Sequence, residues 1–210
     1  MTFLAPALLA TLTFATACAS APSVPPPLDA APPTAPDATL VWVGRGEAER
    51  KDGGRWVRDP AFDYDFSVEQ RRFADRWESV KTMRRLHPDY DGSAGPREQV
   101  LWFHLRWPAA ADANDLHGQV ASRLGAGTIV SDREFRRAEI DIRPDISAHA
   151  PFDTYRIRQR YLYEEGRLEE TVELLDHDGR DGAQEIDWVR NTERATLFSA
   201  TRLPGPPTRR

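Results

Sequence analysis

The 210-residue chain sets 28 Lys and Arg against 33 Asp and Glu, for a formal charge of −5. Forty per cent of its residues are hydrophobic, with six Trp, nine Phe and five Tyr, which excludes general disorder and suits one packed domain. Only Lys51 and Lys81 are lysines, the arginines alternate with Asp and Glu, and one cysteine is present; a one-signed nucleic-acid-binding face and an internal disulfide framework are thereby excluded.

Residues 3–17 form an uncharged apolar run of fifteen residues that ends at Cys18. A helix crossing a hydrocarbon core of ~30 Å needs ~20 residues, so the run fits a removable export signal, with Ala15, Thr16 and Ala17 as the small residues before cleavage. On these residues the segment resembles a bacterial lipoprotein signal, in which a small-residue box precedes a cysteine that is acylated and becomes the new N-terminus. The resemblance implies a signal peptide over 1–17, lipidation at Cys18 and a domain facing the periplasm. Ala19 after the cysteine, where Asp would mark the inner membrane, implies the outer membrane. Each acyl CH₂ in the bilayer contributes ~0.8 kcal/mol, so a multiply acylated cysteine is a durable anchor. Ordinary secretion after Ala17 or Ala21 is the competing reading.

Residues 19–37 hold seven prolines in nineteen positions. This composition favours a polyproline II spacer at ~3.1 Å per residue, so 18–38 reads as a lipidated cysteine and its tether. Order is expected from 39 to 203, with a loose tail over 204–210.

Leu40 to Val43 begins a strand running towards Glu49, Asp52-Gly53-Gly54 a hairpin turn, and Arg55 to Val57 the return. Phe62, Tyr64, Phe66 and Val68 alternate with polar residues, as in a strand with one buried face. The period then changes: Phe73, Trp77, Val80, Met83 and His87 are spaced by three and four, Ser67 and Gln70 form a capping box, and Pro88 supplies a stop. The spacing predicts an amphipathic helix over 68–87, with a strand over 77–82 as the alternative.

In residues 100–107, Leu101, Phe103, Leu105 and Trp107 face one way, while Trp102, His104 and Arg106 face the other. Bulky aromatics on both faces predict a central strand. A short hairpin is expected around Gly125-Ala126-Gly127, and a helical turn from Ser131 before Ala138, Ile140 and Ile142 resume alternation. Residues 155–175 read as a hairpin about a two-residue Glu165-Gly166 turn, opposing Tyr161 to Glu170 and Gln159 to Val172. Strands are expected near 185–189 and 195–202. The fold class expected is therefore α+β, mainly antiparallel β: a curved sheet or half-open barrel with the one amphipathic helix on its concave face.

Catalytic signatures are absent from the sequence. The acidic turn over 176–182 places Arg180 where a calcium loop needs an acidic ligand, and Asp89-Tyr90-Asp91-Gly92 reads equally as a turn. His87, His117, His149 and His177 lack metal-ligand spacing, and Gly125-Ala126-Gly127-Thr128 lacks the lysine of a phosphate loop. Asp63 and Asp65 share a strand face and read as solvated. No cofactor and no metal are expected. Trp102 and His104 on one strand, with Gln159, Tyr161 and Glu170 on the apolar side of the hairpin, are the candidate ligand pocket, because a few polar groups in an apolar concavity are what such pockets contain. The expected function is a lipid-anchored envelope protein binding an apolar ligand or an envelope protein partner. Alternatives are an envelope hydrolase or lyase using His104 with carboxylate partners, and a structural spacer.

Overall fold

The computed structural model describes residues 36–93, 95–107, 115–145, 153–176, 184–185 and 189–201. Cys18, the expected signal, most of the tether and the tail lie outside the described residues. So do His149, His177 and residues 177–182 of the acidic turn.

Twelve strands follow one another: β1 (Ala38–Asp52), β2 (Arg55–Arg58), β3 (Tyr64–Arg72), β4 (Arg76–Arg84), β5 (Glu98–Arg106), β6 (Asp115–Ser122), β7 (Gly125–Asp132), β8 (Arg137–Pro144), β9 (Thr154–Leu162), β10 (Arg167–Asp176), β11 (Gln184–Glu185) and β12 (Val189–Ala200). Ten of them form an up-and-down antiparallel barrel in the order β1-β3-β4-β5-β6-β7-β8-β9-β10-β12, with β12 returning to β1. β2 extends the pairing of β1 beyond the barrel, and β11 does the same for β10. Gly53 and Gly54 take φ 54° and 78° in the turn between β1 and β2, a conformation glycine adopts without steric cost.

The expected half-open sheet is corrected to a closed barrel. Closure pairs β1 with β12 over most of their lengths, so neither the first nor the last long strand keeps an open edge.

The helix expected over 68–87 is also corrected: these residues complete β3, turn at 73–75 and form β4, and the described residues contain no α-helix, only 3₁₀ turns at Pro60–Phe62 and Tyr163–Glu165. The inward positions here alternate through Val68, Gln70 and Arg72, then Trp77, Ser79, Lys81 and Met83, all buried. Polar residues at four of these positions masked the period of two. Val80, which completed the apparent helical stripe, faces outward and is 46% exposed.

In the hairpin of β9 and β10, Tyr163–Glu165 forms the 3₁₀ turn and Gly166 closes it at φ 59°. The register is therefore two residues from the one expected: Gln159 opposes Glu170, and Tyr161 opposes Leu168. A shift of two keeps every side chain on its face. Further along, β6 and β7 meet at Arg123-Leu124, placing the Gly125-Ala126-Gly127 stretch inside β7, where Gly127 passes too close to the Asp141 carbonyl to carry a side chain.

The lumen holds aromatic and aliphatic side chains around a set of buried polar ones, and much of the outer wall is charged. Trp42, Trp77, Trp107, Phe135, Tyr161 and Tyr163 pack one end of the lumen, with the Arg72 guanidinium 3.8 Å over the Trp77 ring. On the outer wall, Arg156 pairs with Asp141, Arg158 with Glu139 and Glu173, and Arg190 with Glu49. No described helix is long and apolar enough to cross a membrane.

Candidate docking wall and lumenal charge cluster

Inside the barrel, side chains from six strands converge in one polar network. Tyr64 of β3 donates to Glu193 Oε1 of β12. It reaches across Gly46 of β1, where a Cβ would stand 2.4 Å from the tyrosine ring, so glycine is required by the close approach. Lys81 of β4 donates to Glu170 Oε1 of β10 at 2.9 Å and to both oxygens of Glu193 at 2.5 Å. Gln159 of β9 donates to the other Glu170 oxygen at 2.6 Å and accepts from Tyr161 at 3.0 Å. Gln70 donates to Tyr161 and accepts from Trp42 of β1 and from Arg72, whose other nitrogen donates to Tyr163.

Burial and these partners together set the protonation preferences. Burial pushes the Glu193 carboxyl up, and the charge of Glu170 adds to it, reaching about 7 against the pull of Lys81. Burial acts on Glu170 too, but the Lys81 charge and the bonds from Gln159 and Lys81 outweigh it and hold Glu170 below the usual carboxylate range. Lys81 is raised because its two carboxylates more than offset the desolvation of its ammonium. Burial, then the charge of Glu193, pushes the Tyr64 phenol well up, so it stays a donor. Beside the network lies a cavity of about 30 Å³, walled by Val68, Trp77, Phe103, Ile140 and Ile157. That is the room of one or two waters.

The outer wall is asymmetric. Across β8, β9 and β10 it is a ladder of opposite charges: Arg158 lies 3.1 Å from Glu139 and 2.5 Å from Glu173, and Arg160 is 3.7 Å from Glu169. An open depression of about 1010 Å³ runs over this ladder, whose charges are already matched to one another. Across β1, β3, β4 and β5 two successive registers lack that pattern. One row runs Val43, Ser67, Thr82, Val100, and the next Val41, Glu69, Val80, Trp102. Phe198 of neighbouring β12 adds to their end and is 78% exposed, while Val43, Val80 and Val100 are each more than 40% exposed. Charged rows flank the band: Arg45, Asp65, Arg84 and Glu98 on one side, Arg71 and Glu78 on the other. Glu69 is the one charge within the two rows and pairs with Arg71 at 2.9 Å. A mostly apolar centre inside a charged rim is the anatomy of a protein interface.

The five residues expected to share a pocket divide between these two places. Gln159, Tyr161 and Glu170 meet in the lumen through the bonds above. Trp102 and His104 lie on the outer wall, their rings 5.0 Å apart. The His104 imidazole is lowered by burial and then by Arg106, against the pull of Glu78, its cross-strand neighbour. Asp63 is buried and receives Arg58 at 2.7 and 2.8 Å and the Ala48 N–H at 2.9 Å, so it is structural and not solvated. Asp91 accepts from Ser93 in its turn. Among the described residues no three His, Cys, Asp or Glu side chains cluster as metal ligands would.

Tyr64, Lys81 and Glu193, the centre of the network, were not among the expected site residues. A period-two reading of β4 and an earlier start for β12 would have placed Lys81 and Glu193 on inward faces; their meeting has no local signal. Comparison with protein-family models, curated proteins and solved structures returns no match.

Proposed function

We propose that this chain is a lipid-anchored cell-envelope protein, tethered to the outer membrane through acylated Cys18, whose barrel docks another envelope protein on the mostly apolar band of β1, β3, β4 and β5. The observation that carries the reading is the two-row band around Val43, Val80, Val100 and Trp102, with exposed Phe198 at its end, Glu69 as the one charge within its rows and the other charges on its rim. The filled lumen supports it, since an apolar ligand needs far more room than about 30 Å³. His104 stands beside Trp102 on open wall, a position suited to contact.

Photo-crosslinking in cells tests the reading. With a photoreactive phenylalanine at Val100 or Phe198, a discrete adduct with one envelope protein is expected, and none with the group at Arg158 on the opposite wall. Equal labelling from both walls would sink the docking reading. Metabolic labelling with palmitate, lost in Cys18→Ser, tests the anchor separately.

A further inference from the structure

Among the described residues, the buried charge of this barrel does not balance. Asp63 is matched at the surface by Arg58 and Arg45. That leaves Arg72, Lys81 and Arg85 as buried cations against Glu170 and Glu193, among the described residues. Buried charges are ordinarily paired, because removing an ion from water costs several kcal/mol. Lys81 takes both glutamates. Arg72 also keeps a buried Nε without a partner, but its Nη atoms donate to Tyr163 and Gln70, and its plane stacks on Trp77.

Arg85, one residue beyond β4, has no such commitment. It is 7% exposed, and no described carboxylate pairs with it. Its Nη1 lies 3.5 Å from the Pro96 carbonyl, at the limit of a hydrogen bond, and its buried Nε has no partner. The guanidinium sits between two aromatic rings, 5.5 Å from the centre of Tyr64 and 5.0 Å from that of Tyr90. This seat is rigid. Arg97 ties the loop above it by donating to the carbonyls of His87, Pro88 and Tyr90, and the Tyr90 hydroxyl donates to Gly95. The Nε edge of a guanidinium, presented side-on, matches the paired oxygens of a carboxylate or phosphate.

We propose that Arg85 is the anchor of an anion site at this end of the barrel, taking a carboxylate or phosphate group on its uncommitted Nε edge between Tyr64 and Tyr90. The two aromatic faces fix the plane of the fork, and the anion supplies the missing negative charge. The site is independent of the docking wall.

Titration of the full-length protein in detergent micelles tests this. The side-chain Nε–H signals of ¹⁵N-arginine are followed, with Arg85 assigned by its contacts to the Tyr64 and Tyr90 ring protons. Acetate and inorganic phosphate are the probes, with chloride at matched ionic strength as control. A saturable shift of the Arg85 signal with either probe, absent with chloride, is expected, and which probe saturates it names the anion class. Phosphate or acetate should also raise Tm in the wild type and leave Tm of Arg85→Gln unchanged. An Arg85 signal that stays still, or drifts without saturation and equally in chloride, overturns the proposal. The titration needs only the wild-type chain, so a poorly folding variant does not remove the test.

Discussion

Glu193 lies directly across from Glu170 on neighbouring strands, and Lys81, from the far side of the lumen, donates to both. One cation thus serves two buried carboxylates. Like charges this close favour retention of a proton on one of them, and Glu193 is the one whose carboxyl is pushed up to about 7, by burial first and the charge of Glu170 second.

Stability should therefore fall as pH rises through neutrality. A carboxyl near 4.5 when unfolded and near 7 when folded binds its proton more tightly in the native state. Its contribution is fully present below about 4.5 and is lost as pH climbs through 7. Glu170 acts in the opposite sense, and its contribution is lost on acidification through its depressed value. Thermal melts should show Tm declining between weakly acidic and weakly alkaline pH, with the decline removed in Glu193→Gln. A wild-type Tm that is level across this range would contradict the assignment.

Removing the shared cation should cost more than removing either anion. Lys81→Met leaves two carboxylates facing each other in the lumen, and a loss of about 3–5 kcal/mol is expected from breaking a buried pair at one partner. Adding Glu170→Gln and Glu193→Gln to Lys81→Met should recover much of it. Urea unfolding of the single and triple variants reads both; a triple variant no more stable than the single one would argue against electrostatics as the cause.

Gly46 should be intolerant of a methyl group for a reason located in Tyr64. A Cβ there meets the tyrosine ring at 2.4 Å, and a loss of about 1–3 kcal/mol is expected for Gly46→Ala from overpacking. In a Tyr64→Ala background the same change should cost little. The double-mutant cycle is the check, and additive costs would refute the contact as the cause.

The exposed apolar band should be dispensable for folding. Val100→Glu and Val80→Lys alter exposed positions, so stability should move by no more than about 0.5 kcal/mol. Either change should abolish crosslinking from Phe198, whereas Arg158→Glu on the charged wall should not. Retained crosslinking in Val100→Glu would place the contact elsewhere.

The alternation of Leu101, Phe103 and Leu105, the run through β1 and the β9 and β10 hairpin made the antiparallel class legible from the sequence. So did the glycines at Gly53, Gly54 and Gly166, because side-chain alternation and turn conformation are local properties of a strand and its loop. The placement of Gln159, Tyr161 and Glu170 on one face followed from the same rule. Only the tertiary structure decided the closure of β1 on β12, the choice of β3 and β4 over the helix expected across 68–87, and the partition of Trp102 and His104 from the lumenal three. The reason is distance along the chain. Lys81 finds Glu170 and Glu193 at separations of 89 and 112 residues, and Gln70 finds Tyr161 at 91. Read one strand at a time, an inward polar residue looks like a break in the pattern; it becomes part of a core only when the closing sheet brings its partner to the same side.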